Sequence, residues 1–122
     1  MKTTIFFFTC LFILAATTAF AQNITEKFNV KGNCSLCETR IETAAKSVMG
    51  VSAADWDQKT TLLTVTFDTS KTNSHKIQAA IAAAGHDTPM HKAKDEVYNS
   101  LPACCKYDRT ESKKDAPDAH AH

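Results

Sequence analysis

The sequence predicts an α+β fold in the order strand, helix, strand, strand, helix, strand. Three observations carry it. Residues 24–31 and 61–67 alternate inward and outward positions, the second run rich in β-branched residues. Around Ile41 and around Ile77, apolar residues recur instead at spacings of three and four. Gly50 and Gly85 close these two helical runs. A period of two marks a strand, and a spacing of three and four marks one face of a helix. The order is the split βαβ or ferredoxin-like arrangement, a four-stranded antiparallel sheet with two helices on one face.

The elements follow in chain order. In the first strand Ile24, Glu26, Phe28 and Val30 share one side, against Thr25, Lys27 and Asn29. From Ser35 a helix begins, with Cys37, Ile41, Ala44, Ala45 and Val48 as its apolar stripe and Glu38, Arg40, Glu42 and Lys46 on its other faces. Gly50 ends it, as glycine does at a C-terminal cap. Val51 to Trp56 is the second strand, Asp57-Gln58-Lys59-Thr60 the turn, and Thr61 to Phe67 the third strand. Thr69 to Ser74 offers helix caps, and Ile77, Ala80, Ile81 and Ala84 form the second stripe. Residues 87–94 offer a fourth strand, which Pro89 confines to the sheet edge.

The two ends read differently. Lys2, an apolar run from Ile5 to Ala16 and Ala19-Phe20-Ala21 form an export leader, cleaved before Gln22. The run falls short of the roughly 20 apolar residues of a membrane span. Taking residues 1–21 from the 122 leaves 101, and the loss of Lys2 leaves 13 basic residues against 13 acidic. That balance gives neither nucleic acid nor an anionic membrane a reason to bind. After the domain at 22–94, residues 95–107 form an appendage with Val97, Tyr98 and Leu101 at its start. Residues 108–122, ending His120-Ala121-His122, form a disordered tail. The expected state is a monomer exported to the periplasm.

The chemistry concentrates in cysteines. Cys34 and Cys37 stand two residues apart where the first strand passes into the helix. Free N–H groups and the positive end of the helix dipole favour thiolate there. A CxxC serves redox proteins and zinc half-sites alike. A thiol-disulfide oxidoreductase would want a larger α/β unit, with aromatic and proline neighbours in place of Asn33, Ser35 and Leu36. Two structural disulfides are also open to four exported cysteines. Cys104 and Cys105 are adjacent, a geometry poorly suited to bonding each other. They can add soft ligands beside Cys34 and Cys37, tie the appendage down, or form a second site. The segment Tyr98 to Tyr107 is expected to cross the open sheet face toward Gly32 and His86. No carboxylate pair, Ser/His/Asp arrangement or phosphate loop points to an enzyme, and Asp55 and Asp57 flank Trp56 as solvent-facing residues.

Cys34-x-x-Cys37 after the first strand, Gly50-Val51, and Ile77…Ile81…Gly85 together resemble the heavy-metal-associated domain over about residues 24–94. That family includes copper chaperones, N-terminal modules of copper-transporting ATPases and periplasmic mercury-binding proteins. The resemblance implies that Cys34 and Cys37 are metal ligands. It also implies that His86, in the loop beside the metal, is a third ligand or modulator. The family usually carries Gly-Met-Thr before the first cysteine, where this chain has Lys31-Gly32-Asn33. Two thiolates satisfy a nearly linear d10 ion, whereas Zn(II) prefers four ligands. The expected function is thus an exported soft-metal carrier, with Cu(I) first and Hg(II) or Zn(II) as other ions. It would hand the ion by thiolate exchange to a metal-transporting ATPase or efflux component, with Cys34 the accessible sulfur and Cys37 buried by the helix. A mercury-binding scavenger that hands nothing on is the other reading.

Overall fold

The computed structural model describes residues 22–109. The leader expected at 1–21 and the part of the expected tail from residue 110, including His120 and His122, lie outside the described residues. The elements are β1 (Asn23–Asn29), α1 (Ser35–Lys46), β2 (Val51–Trp56), β3 (Leu62–Asp68), α2 (Ser74–Ala83), α3 (Asp95–Asn99) and a 3-10 turn at Ala103–Cys105. The antiparallel sheet has the order β1-β3-β2.

Register decides which side chains meet. Phe28 stands opposite Leu63, which also faces Trp56, and Val65 faces Ala54. This is the inner face. Cys37, Ile41 and Ala45 of α1 and Ile77 and Ile81 of α2 close over it, all of them fully buried. Thr25 and Thr66 lie on the outer face, their hydroxyls 2.9 Å apart and open to solvent.

Local chemistry sets the ends of the elements. α1 stops at Lys46, ahead of Gly50, where the Ser47 hydroxyl turns back onto the Ala44 carbonyl and the Val48 N–H reaches back only to Ala45. Asn73 caps α2 by accepting the Lys76 N–H at 2.9 Å. At the other end Gly85 has φ of +111°. Its N–H reaches the Ala82 carbonyl and that of His86 reaches Ile81, a Schellman closure. β3 begins one residue later than expected, since Thr61 takes the left-handed region at φ of +60°.

Two expectations are corrected. Among the described residues the sheet has three strands, and 87–94 is not a fourth. The Asp87 carbonyl accepts one bond from the Lys31 N–H, after which the chain folds on itself. Thr88 and His91 bond through the Thr88 N–H and hydroxyl, Pro89 lies between them, and the Met90 N–H goes to the Gln78 side chain. These bonds use the donors that a strand would have offered to β1. The second correction concerns residues 95–107, which leave the outer sheet face open. Leu101 packs on Gly85 beyond α2, and the 3-10 turn meets α1. No described helix is long and apolar enough to cross a membrane.

Candidate metal centre

The loop between β1 and α1 is laid over Trp56. A Cβ on Gly32 would come within 3.0 Å of the indole ring and 3.1 Å of the Cys37 Cβ. Gly32 stands in the triplet where the family carries methionine, and the indole fills the space beneath the loop. The indole Nε1–H donates to the Val30 carbonyl at 3.0 Å and the Thr61 carbonyl at 3.2 Å. From outside, the Gln58 amide donates to the Asn33 carbonyl. The loop is therefore held from below by an apolar ring and at its rim by hydrogen bonds.

Cys34 is the N-cap of α1, and its sulfur makes no capping bond to the helix. It stands 3.4 Å from the Cys37 sulfur, which is fully buried and accepts the Asn33 N–H at 3.4 Å. Cys34 itself is half-buried. Burial alone would raise its pKa. Bonds from the Cys104 thiol, the Cys37 backbone and the Cys37 and Cys105 thiols outweigh that and bring it from 9.0 to about 7. This sulfur is the one poised to act as thiolate near neutral pH.

The appendage brings its own pair to the same place. Cys104 lies 3.0 Å and Cys105 3.7 Å from the Cys34 sulfur. Cys34, Cys104 and Cys105 place their sulfurs within 4.8 Å of one another. Cys104 is exposed and Cys105 buried. The bond to Cys34 pushes the Cys104 thiol up, and burial followed by the neighbouring sulfurs pushes Cys105 up further. All four thiols are unbridged.

A polar latch holds the appendage. The Tyr107 hydroxyl donates to the Gly85 carbonyl at 2.8 Å and accepts the Asp87 N–H at 3.0 Å. Arg109 grips the buried Asp87 carboxylate with Nε and Nη2, at 3.1 and 3.0 Å. Its Nη2 also reaches the Ala93 carbonyl, its Nη1 reaches Asp95, and its guanidinium lies 4.7 Å over the Tyr98 ring. Arg109, assigned from sequence to the disordered tail, is thus held against the packed part.

His86 is fully buried, and its Nδ1–H donates to the Lys31 carbonyl at 2.8 Å. Burial lowers its pKa. Its Nε2 has no hydrogen-bond partner among the described residues, and its ring stacks on Tyr107 at 5.8 Å. The cluster of ligand atoms at Cys34 contains cysteines and not His86. The residues that sequence reasoning missed are Trp56, Asp87 and Arg109, which with Tyr107 position the thiols. Trp56 had a signal, as the single tryptophan on an inward position of a strand. Arg109 had none, standing at the head of a charged tail.

The heavy-metal-associated domain model matches residues 27–87. The chain is similar to a mercuric transport protein periplasmic component from Shewanella putrefaciens, at 35% identity over 81 residues, 66% of this chain and 89% of that protein. Among solved structures it is similar to a CopZ metallochaperone, at 30% identity and TM-score 0.52, over 53% of this chain and 98% of that one. Oxidized MerP from Ralstonia metallidurans CH34 shares 35% identity at TM-score 0.53, over 55% of this chain and 94% of its own. With its sulfurs at the junction of β1 and α1, the chain belongs to the heavy-metal-associated domain family.

Proposed function

We propose that this protein is an exported carrier of a soft d10 ion, bound through Cys34 and Cys37 and passed on by thiolate exchange. The observation that carries the reading is the 3.4 Å approach of the two sulfurs, one accessible and the other buried. Two thiolates suffice for Cu(I) or Hg(II). The buried Cys37 supplies a fixed anchor, while Cys34 supplies a bond that can be made and broken. In handover an incoming thiolate bonds the ion as the Cys34 bond breaks. The leaving sulfur then stays as thiolate or takes a proton, and nothing is oxidised. A metal-transporting ATPase or an efflux component is the partner this chemistry fits, and the periplasm the compartment. The roles are those of a carrier and not of a catalyst.

Cu(I) is the first reading of the cargo. Hg(II) is the second, supported by the likeness to mercuric transport periplasmic components. Both are tested by loading the reduced chain with each ion and mixing it with a two-thiol acceptor protein. Transfer faster than spontaneous dissociation supports a carrier. Transfer no faster than dissociation for either ion would leave a scavenger.

A further inference from the structure

The two-sulfur carrier has no use for Cys104 and Cys105, yet the fold spends a latch, a 3-10 turn and a buried thiol on placing them. The Cys105 N–H bonds to the Pro102 carbonyl at 2.8 Å, and the Tyr107 N–H to the Cys105 carbonyl at 2.9 Å. This turn sends one sulfur of the adjacent pair inward and leaves the other at the surface. Both still reach Cys34, at 3.7 and 3.0 Å. Cys34 is thus the hub of three sulfur approaches, the third being Cys37 at 3.4 Å.

These spacings favour a site of more than two sulfurs. With metal–sulfur bonds of about 2.3 Å, two thiolates in line stand about 4.6 Å apart and those on a tetrahedral edge about 3.8 Å. The separations from Cys34 run from 3.0 to 3.7 Å, nearer the edge of a tetrahedron than a line. Cys34, Cys104 and Cys105 lie within 4.8 Å of one another, and Cys37 joins them through its 3.4 Å approach to Cys34. Leu101 and Cys105 bury themselves in the domain core, and the latch of Asp87, Tyr107 and Arg109 fixes the rest of the segment.

We infer that Cys104 and Cys105 join Cys34 and Cys37 as ligands of one site, which takes divalent d10 ions through four thiolates as well as Cu(I) through fewer. The inference rests on soft-metal binding at Cys34 and Cys37 as proposed above. The substrate class widens accordingly to Zn(II), Cd(II) and Hg(II). Release changes too. A partner must displace up to four sulfurs, and the exposed Cys104 is the first that an incoming thiolate meets.

The probe is Cd(II), added to the reduced full chain, with sulfur ligands counted by X-ray absorption and affinity measured by chelator competition. Four sulfurs are expected in the parent and three in Cys104→Ser, whose side chain is exposed and outside the core. Two are expected in Cys104→Ser/Cys105→Ser, with Cd(II) affinity lower by about 100-fold or more, since the second dithiol acts at high effective concentration. Two sulfurs in the parent and in both variants would overturn this inference and leave the two-cysteine carrier standing. An ion that keeps its sulfurs in Cys34→Ser/Cys37→Ser, and loses them only when Cys104 and Cys105 are replaced, would overturn both readings.

Discussion

The two cysteine pairs lie side by side, but the molecule supports them by different means. Cys34 and Cys37 rest on the domain itself: Gly32 presses on Trp56, and the Cys37 side of α1 is part of the core. Cys104 and Cys105 hang from a short segment that reaches the edge of the core with Leu101, Cys105 and Tyr107 and is tied down by a polar latch of Asp87, Tyr107 and Arg109. Apolar support cannot be removed without opening the core. A latch built on one carboxylate and one guanidinium can be released by a single change, because an ion pair of this kind fixes position more than it adds net stability. The first pair is therefore a property of the fold, and the second a property of its attachment. Losing the second should leave the first intact.

The largest break in this comparison is expected at Trp56. Trp56→Ala removes a side chain 1% exposed and should cost on the order of 4 kcal/mol in a urea unfolding experiment. It should weaken binding at both pairs, since both are referred to the same loop. A cost under about 1 kcal/mol would show that the loop does not rest on the indole.

Arg109→Met should act on one side only. Asp87 would lose its two guanidinium bonds and keep the Ala93 N–H, for a cost of about 2–3 kcal/mol. Hydrogen exchange should accelerate over 98–107 while the amides of α1 stay protected. Equal acceleration in α1 would mean that appendage and domain open as one unit.

The smallest effect is electrostatic and leaves stability almost untouched. Alkylation of Cys34 should rise with pH around a midpoint of about 7, against 9.0 for an ordinary thiol. The sign follows from the depressed pKa. The thiolate is favoured in the folded chain, so its contribution is complete above 9.0 and fades as pH falls through about 7. Cys104→Ser removes one of the bonds to the Cys34 thiolate and should move the midpoint upward. An unmoved midpoint would place Cys104 away from Cys34 in solution.

The same contrast explains what could be read from the chain beforehand. Period and punctuation were enough for three strands, two helices and the Cys34–Cys37 loop, because each is fixed by residues near in sequence. Gly85 closing α2 is such a case. The failed strand at 87–94 depended on distant partners: Gln78 takes the Met90 N–H, and Arg109 occupies Asp87. No local pattern in 87–94 announces either. The approach of Cys104 and Cys105 to Cys34 was one alternative among several for the same reason. Seventy residues separate Cys34 from Cys104, and the route runs past the end of α2 instead of over the open sheet.

The central claim, that Cys34 and Cys37 hold the ion, is tested most directly by Cu(I) titration against a competing chelator. The parent, Cys34→Ser/Cys37→Ser and Cys104→Ser/Cys105→Ser would be measured side by side under reducing conditions. The first variant should lose about 1,000-fold or more in affinity, because the buried anchor Cys37 and the sulfur through which Cys104 and Cys105 reach the site are both gone. The second should keep tight Cu(I) binding, since two sulfurs suffice for that ion. Unchanged affinity in Cys34→Ser/Cys37→Ser would contradict the account.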